Sequence, residues 1–226
     1  MMEVVLKVFK KKTDSYQTIP KQLLIGNCRY VVIDTELTGL DPKKDSIVSI
    51  GCIKMIGSKI ELGQTFYKIV KPISVLTPKS VLVHGITPEE TEISPSVEDV
   101  LSEFLSFCKD SIIVGHFLFI DIMFINKEMK RVYNHNIENY LVDTFKIYRW
   151  IKEHGDAGKH FHRENEDDNL FSIAKKYQIP ISHTHNALID AFITAQLFQR
   201  FLSFLPDIGV RTVKDLLKVG GLKKGR

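Results

Sequence analysis

The sequence has little cysteine and no long run of apolar residues. Its three cysteines, Cys28, Cys52 and Cys108, are odd in number and widely spaced, which excludes a close cysteine pair that binds metal and favours reduced thiols. No apolar run reaches the roughly 18 residues that a membrane-spanning helix requires. The short apolar cluster at residues 4–9 is followed by lysines rather than preceded by them, unlike a secretory signal. These absences predict a cytoplasmic protein that does not bind a membrane.

The composition fits one globular domain with short flanking segments. The chain has 226 residues, 44% of them apolar and 26% charged, so it can bury a sizeable core. Its formal net charge of +4 permits a polyanionic partner without demonstrating one. Residues 1–26 lack sustained periodicity and are predicted to form an N-terminal arm. Residues 27–206 are predicted to form the domain, and residues 207–226 a basic C-terminal tail.

The spacing of apolar residues predicts an α/β fold. Three successive strands, the first starting near residue 30, with the others at 47–55 and 60–70, have short connections and suggest an antiparallel meander. A short apolar strand at 111–115 follows a helix at 97–108 and is therefore expected to run parallel to the first strand. The polar segment 154–168 is predicted to be a surface loop. Further helices are predicted at 121–131, 143–152, 170–177, 185–204 and 211–219.

Two carboxylates follow directly from the first apolar strand. Because alternate side chains of a strand share a face, Asp34 and Glu36 are expected to point the same way and to hold a hard cation between them. Gly39 then leaves room for the backbone of a ligand. From this stretch alone, a strand end that runs into a polar turn is an equally good interpretation.

Two more acids stand where packing alone would not require them. Asp121 lies in an apolar neighbourhood after the strand at 111–115, and Asp190 lies near the start of the last long helix. The alternative for Asp121 is a favourable position at a helix N-terminus, and the alternative for His185 is a helix-start histidine with one hydrogen bond. Four carboxylates suit a pair of Mg²⁺ ions that cleave a phosphodiester, and a nearby histidine can accept the proton of the attacking water.

The order and spacing of these residues resemble those of the DEDDh 3′-5′ exonucleases, in particular the DnaQ-like group. The resemblance covers roughly residues 30–205. One departure is Phe117, which stands where that family usually has asparagine, and it places the substrate preference in question. The matching motifs are Asp34-Thr35-Glu36-x-Thr38-Gly39-Leu40, Val83-His84-Gly85-Ile86-Thr87, Val114-Gly115-His116 leading to Asp121, and His185-x-x-x-x-Asp190-Ala191.

The resemblance implies an RNase H-like α/β fold, with a mixed five-stranded sheet flanked by helices. It implies that two Mg²⁺ or Mn²⁺ ions bind at four acids and that His185 is the general base, with His183 a weaker competitor because its spacing to the last acid differs. It further implies contact between the terminal nucleotide and a small group of residues near the first two motifs. The implied metal ligands are Asp34, Glu36, Asp121 and Asp190, and the implied substrate-binding residues are Thr38, Gly39, Leu40 and His84.

The implied function is release of nucleotides from single-stranded or frayed 3′ ends of DNA, in proofreading or repair. A DNA polymerase complex is the expected partner. Two alternatives stay open: an enzyme that trims RNA 3′ ends, and a binding module that has kept the fold without catalysis.

Overall fold

The computed structural model describes residues 19–154, 168–181 and 185–222. Most of the predicted N-terminal arm, most of the predicted loop at 154–168, and His183 lie outside these residues. Within them the chain forms five strands and eight α-helices around one sheet.

The sheet is mixed and has the strand order β3-β2-β1-β4-β5. Strand β1 pairs antiparallel with β2, which pairs antiparallel with β3, while β4 runs parallel to both β1 and β5. The predicted antiparallel meander and the predicted parallel strand at 111–115 are therefore confirmed. The strands are β1 (Arg29–Leu37), β2 (Ile47–Ile56), β3 (Lys59–Ile69), β4 (Ile112–Gly115) and β5 (Leu141–Asp143).

Helices cover both faces of this sheet, as predicted for the RNase H-like fold. Five of them, α3, α4, α5, α6 and α7, begin and end within a few residues of the bounds expected from sequence, and helix α8 occupies the predicted segment at 211–219. The helices are α1 (Pro78–His84), α2 (Pro88–Glu92), α3 (Val97–Cys108), α4 (Phe119–Tyr133), α5 (Thr144–His154), α6 (Leu170–Lys176), α7 (Ala187–Phe204) and α8 (Val213–Gly220).

Strand β1 separates two hydrophobic cores. Tyr30 and Val32 pack in the core that includes apolar residues of α7, whereas Val31 and Ile33 pack in the core that includes apolar residues of α3 and α4. All four of these side chains are fully buried. Because side chains alternate along a strand, Asp34 and Glu36 continue the α7 face, and Thr35 continues the α4 face.

Three elements were not assigned from the sequence. Strand β5 has three residues, too few to establish a period, and the sequence placed a helix start at its last residue. Helices α1 and α2 are also short, but each begins with a capping box, at Thr77 and Thr87, followed by proline. This threonine-proline start is a recognisable helix signal that the sequence analysis missed.

The two flanking segments pair with each other where they are described. The Ile25 amide donates to the carbonyl of Arg211, and the Val213 amide donates to the carbonyl of Leu23. Val213 is fully buried, so α8 packs on the core. The division of the chain at residues 26 and 206 stays a prediction. Among the described helices, none has the length and apolar character needed to cross a membrane.

Candidate active site

Three carboxylates meet at the end of β1. One oxygen each from Asp34, Glu36 and Asp190 can be chosen so that all lie within 4.8 Å of one another. Asp190 lies in the first turn of α7, which begins after Asn186 caps the helix by accepting hydrogen bonds from two backbone amides. The strand and the helix start, both predicted from sequence, therefore bring these three acids together.

Helix α7 can approach the sheet this closely because Gly51 has no side chain. Gly51 pairs with Asp34 across β1 and β2, so both face the start of α7. A Cβ at Gly51 would lie 2.2 Å from the carbonyl carbon of Ala187 and 2.2 Å from the amide nitrogen of Leu188. The glycine thus sets the distance between the sheet and the helix that carries Asp190.

Asp121 reaches the site from the other face of the sheet. Its Oδ1 accepts a hydrogen bond of 2.6 Å from the Thr35 hydroxyl, and both residues are buried. Among the described residues, Asp121 is not part of the set whose oxygens lie within 4.8 Å of one another. Its charge nevertheless acts on Asp34 and Glu36, since it raises the pKa of both. The four predicted acids form one electrostatic site with three converging members and a fourth held by Thr35.

Burial and mutual repulsion keep these carboxylates from ionising easily. Burial, followed by the charges of Asp121, Glu36 and Asp190, raises the pKa of Asp34 well above its ordinary value of 3.8. Burial and neighbouring carboxylates raise the pKa of Glu36 to about 8, and burial raises the pKa of Asp190 to about 7. Burial also raises the pKa of Asp121 to about 7, although the Thr35 hydrogen bond opposes that rise. No lysine or arginine in the described part of the chain forms an ion pair with any of them.

These raised pKa values predict that the metal-free protein loses stability as the pH rises. The folded state keeps protons on Glu36, Asp121 and Asp190 up to about pH 7 to 8, and the pKa of Asp34 is raised as well. The unfolded chain loses its carboxyl protons near pH 4, so folding binds protons in between. Two buried histidines, His84 and His116, have lowered pKa values and act in the opposite direction below about pH 6.5. Since the carboxylates outnumber them, we expect the melting temperature in EDTA to fall by roughly 5 °C between about pH 5.5 and about pH 8.

Thermal melts at several pH values in EDTA measure this effect. The Asp190→Asn variant lacks one titrating group, and its melting temperature should fall less steeply over the same interval. A melting temperature that stays constant or rises with pH would contradict the raised carboxylate pKa values.

His185 lies at the edge of the carboxylate cluster. Its Nδ1 is 3.9 Å from Oδ2 of Asp190, and its side chain is 49% exposed. The ring packs edge-on against Phe171 with 5.4 Å between ring centroids. An imidazole that is both next to the acids and open to solvent can exchange a proton with a molecule bound at the cluster.

A cavity of about 640 Å³ opens beside the end of β1. One wall comes from residues 34–40, which include Asp34 and Glu36. Helix α1 and the turn between β4 and α4 provide further lining residues. The remaining lining residues are Thr77, Lys79, Ser80, Val83, His116, Phe117, Ile120 and Asp121. Asp34, Glu36 and Asp121 therefore border a space that can admit a ligand.

Comparison with known proteins assigns the chain to a family. A family model described as exonuclease (RNase_T) matches residues 31–198, about three quarters of the chain. The chain belongs to this exonuclease family. The predicted membership of the DnaQ-like 3′-5′ exonucleases is thereby confirmed.

Curated relatives of this exonuclease chain include much longer polymerases. "DNA polymerase III PolC-type" of Thermotoga maritima is 33% identical over 194 residues, which are 86% of this chain and 13% of the relative. The protein of the same name from Staphylococcus aureus is 27% identical over 200 residues, covering 88% of this chain and 13% of the relative. The chain thus spans about 13% of the length of these relatives.

Solved structures share the fold of this exonuclease domain. E. coli exonuclease I in complex with a dT13 oligonucleotide superposes with a TM-score of 0.68 at 18% identity, covering 80% of this chain and 42% of that one. Exonuclease X in complex with 5′ overhanging duplex DNA gives a TM-score of 0.61 at 20% identity, covering 84% and 98%. At these identities the likeness establishes the fold.

The residues expected to contact substrate differ in how far they are open to the cavity or engaged within the protein. Leu40 is 70% exposed at the cavity. The hydroxyl and amide of Thr38 are both engaged within the protein, the amide donating to the carbonyl of Ser46. A Cβ at Gly39 would lie 2.5 Å from Oδ2 of Asp45, so packing against Asp45 already requires a glycine here, and the approach of a ligand to Gly39 at the cavity stays a prediction.

His84 makes a local contact at the end of helix α1. Its Nδ1 accepts a hydrogen bond from the Ile86 amide, so its Nε2 carries the hydrogen, and this buried Nε2 has no hydrogen-bond partner in the described part of the protein. His84 itself does not line the cavity, although Ser80 and Val83 of the same helix do. A contact between His84 and the nucleotide stays a prediction.

Phe117 adopts a backbone conformation that is unusual for its type. Its φ of 52° lies in the left-handed region, which bulky residues rarely occupy. The amide of Phe117 donates to Oδ1 of Asp143, and its ring packs against Phe145 with 4.3 Å between ring centroids. Phe117 also lines the cavity, so it presents an aromatic surface where the family pattern has a polar side chain.

Sequence reasoning missed three residues that shape this exonuclease site. Thr35 donates a hydrogen bond to Asp121, and Gly51 allows helix α7 to approach the sheet closely. Asp143 accepts a hydrogen bond from the amide of Phe117, in the turn before helix α4. A threonine between two acids and a glycine inside an apolar strand were visible signals, because glycine in a strand often marks a close approach of another backbone. Nothing local distinguished Asp143.

Proposed function

We propose that the chain is a metal-dependent 3′-5′ exonuclease that releases nucleoside monophosphates from single-stranded or frayed 3′ ends of DNA. The observation that carries the proposal is the largely buried cluster of Asp34, Glu36 and Asp190 beside an open cavity. Buried carboxylates without cationic partners lower the stability of the fold unless a ligand binds them. The exonuclease family to which the chain belongs indicates the reaction that such a site performs.

The residues present fit a divalent metal. Their ligand atoms are all carboxylate oxygens, which Mg²⁺ and Mn²⁺ prefer. Oδ1 of Asp190 is buried and has no hydrogen-bond partner among the described residues, as expected for an oxygen reserved for a ligand. We assign Asp34, Glu36, Asp121 and Asp190 to two ions, which supply an activated water and stabilise the leaving oxygen when bound.

His185 is assigned as the general base. Its exposed imidazole beside Asp190 can take a proton from the attacking water and pass it to solvent.

We propose DNA rather than RNA as the substrate, and a polymerase as the partner. The structures of exonuclease I and exonuclease X named above are complexes with DNA, and the relatives from Thermotoga maritima and Staphylococcus aureus are polymerases. The same metal chemistry cleaves either polymer, so RNA trimming is the alternative. The full set of acids with His185 argues against a binding module without catalysis.

A time course with labelled oligonucleotides tests the proposal. We expect 5′-labelled single-stranded DNA and duplex DNA with a mismatched 3′ end to shorten one nucleotide at a time in Mg²⁺ or Mn²⁺, with no shortening in EDTA. RNA of matched sequence should be cut more slowly. His185→Ala should lower kcat about a hundredfold or more, since it removes the general base.

The matched control is His154→Ala, which removes an exposed histidine from the end of α5 and should leave kcat unchanged. Shortening that continues in EDTA, or label released first from the 5′ end, would contradict the proposed activity. Faster cleavage of RNA than of DNA would replace the proposed substrate by the alternative.

A further inference from the structure

Three residues form a row across the sheet beneath the start of helix α7. Asp34 on β1 pairs with Gly51 on β2, and Gly51 pairs with Tyr67 on β3. Directly paired residues project from the same face of a sheet, so all three face α7. Asp34 belongs to the carboxylate cluster and Gly51 admits the helix backbone, which leaves the role of Tyr67 to be explained.

Tyr67 contacts the residue that caps helix α7. The Nδ2 group of Asn186 donates a hydrogen bond of 3.2 Å to the Tyr67 hydroxyl. The Oδ1 atom of the same Asn186 accepts hydrogen bonds from the amides of Leu188, at 3.0 Å, and Ile189, at 3.3 Å. One asparagine side chain therefore connects the first turn of α7 to strand β3.

Among the residues that the structure describes, His185 has few contacts. It immediately precedes Asn186, its side chain is 49% exposed, and its ring meets Phe171 edge-on. At 3.9 Å, its approach to Asp190 is longer than a hydrogen bond. In the described part of the chain, the backbone next to the imidazole is held at Asn186, so the position of Asn186 affects the position of the ring.

We propose that Tyr67 is a positioning residue for His185 and acts through Asn186. The Tyr67 hydroxyl fixes the side chain of Asn186, which fixes the start of α7 and hence the direction in which His185 leaves the helix. Burial raises the pKa of Tyr67, so the phenol stays neutral at the near-neutral pH of the exonuclease assay. The inference rests on the proposed role of His185 as general base.

The Tyr67→Phe variant tests the proposal in the full chain with single-stranded DNA and Mn²⁺. It removes one hydroxyl and keeps the ring, so the fold should be retained. We expect kcat to fall about fivefold, as for the loss of one hydrogen bond, with KM changed by less than about twofold. The matched control is Tyr133→Phe, because Tyr133 forms no hydrogen bond through its hydroxyl to any other described residue and stacks on His135.

The same substitution in a His185→Ala protein distinguishes a positioning effect from a general loss of structure. If Tyr67 acts through His185, then Tyr67→Phe should cause no further loss in a His185→Ala protein, whereas a structural effect would lower the residual activity again. Amide hydrogen exchange at residues 186–190 gives a readout that does not depend on activity, and we expect it to become faster in Tyr67→Phe and to be unchanged in Tyr133→Phe.

The outcomes separate this inference from the proposed function. If His185→Ala is slow while Tyr67→Phe keeps full activity or unchanged exchange, the positioning role is overturned and the general base stands. An equal further loss in the His185→Ala background also overturns it. If His185→Ala is fully active, the general-base assignment fails and this inference fails with it, and the exchange data then report only whether Tyr67 holds the helix start.

Discussion

Replacing Asp34 by asparagine should reduce nucleotide release by at least about a thousandfold, because it removes a charged metal ligand from the centre of the carboxylate cluster. The same change should stabilise the metal-free protein. Burial and three neighbouring acids raise the pKa of Asp34 well above 3.8, so its ionised form costs stability at pH 8, and the neutral amide removes that cost. We expect a rise in melting temperature of roughly 3 to 6 °C in EDTA at about pH 8.

Exonuclease assays and thermal melts of the same preparation measure both effects. Glu103→Gln is the matched control, because it neutralises an acid that forms an exposed ion pair with Lys68 on the surface. It should change neither activity nor stability appreciably. Full activity of Asp34→Asn would contradict the metal site, and a lower melting temperature would contradict the electrostatic strain in the cluster.

Replacing Gly51 by alanine should be the most damaging change that leaves every site residue in place. The added Cβ would lie 2.2 Å from backbone atoms of Ala187 and Leu188, so the start of α7 must move away from the sheet. A shift of about 1 Å in a reacting group can cost a hundredfold in rate, and we expect at least about that loss of kcat. Overpacking should also lower the free energy of unfolding by about 1 to 3 kcal/mol.

Gly63→Ala is the matched control on the neighbouring strand β3. A Cβ at Gly63 would meet no atom within 4 Å, so this variant should keep its activity and its stability. Urea unfolding and exonuclease assays on the two alanine variants make the comparison. Wild-type activity in Gly51→Ala would show that helix α7 does not need its close approach to the sheet.

The sequence predicted the local elements well where a period could be read. Strands β1, β2 and β3 and helices α3 and α7 are long enough for alternation or a helical stripe to appear, and the structure confirms them. Strand β5 and helix α2 are too short for that signal, whereas helix α1 was missed although helix α6, which also has seven residues, was predicted. The packing of Gly39 against Asp45 was not predicted, because Asp45 comes from the far side of the same loop.

The sequence by itself determined the family, the alternating strand that places Asp34 and Glu36 on one face, and the helix start that carries Asp190. These are properties of residues near one another in the chain, and local periodicity records them. Only the tertiary structure decided that Thr35 holds Asp121, 86 residues away, and that Tyr67 contacts Asn186, 119 residues away. Such contacts depend on how the strands and helices pack, and no local pattern encodes that packing.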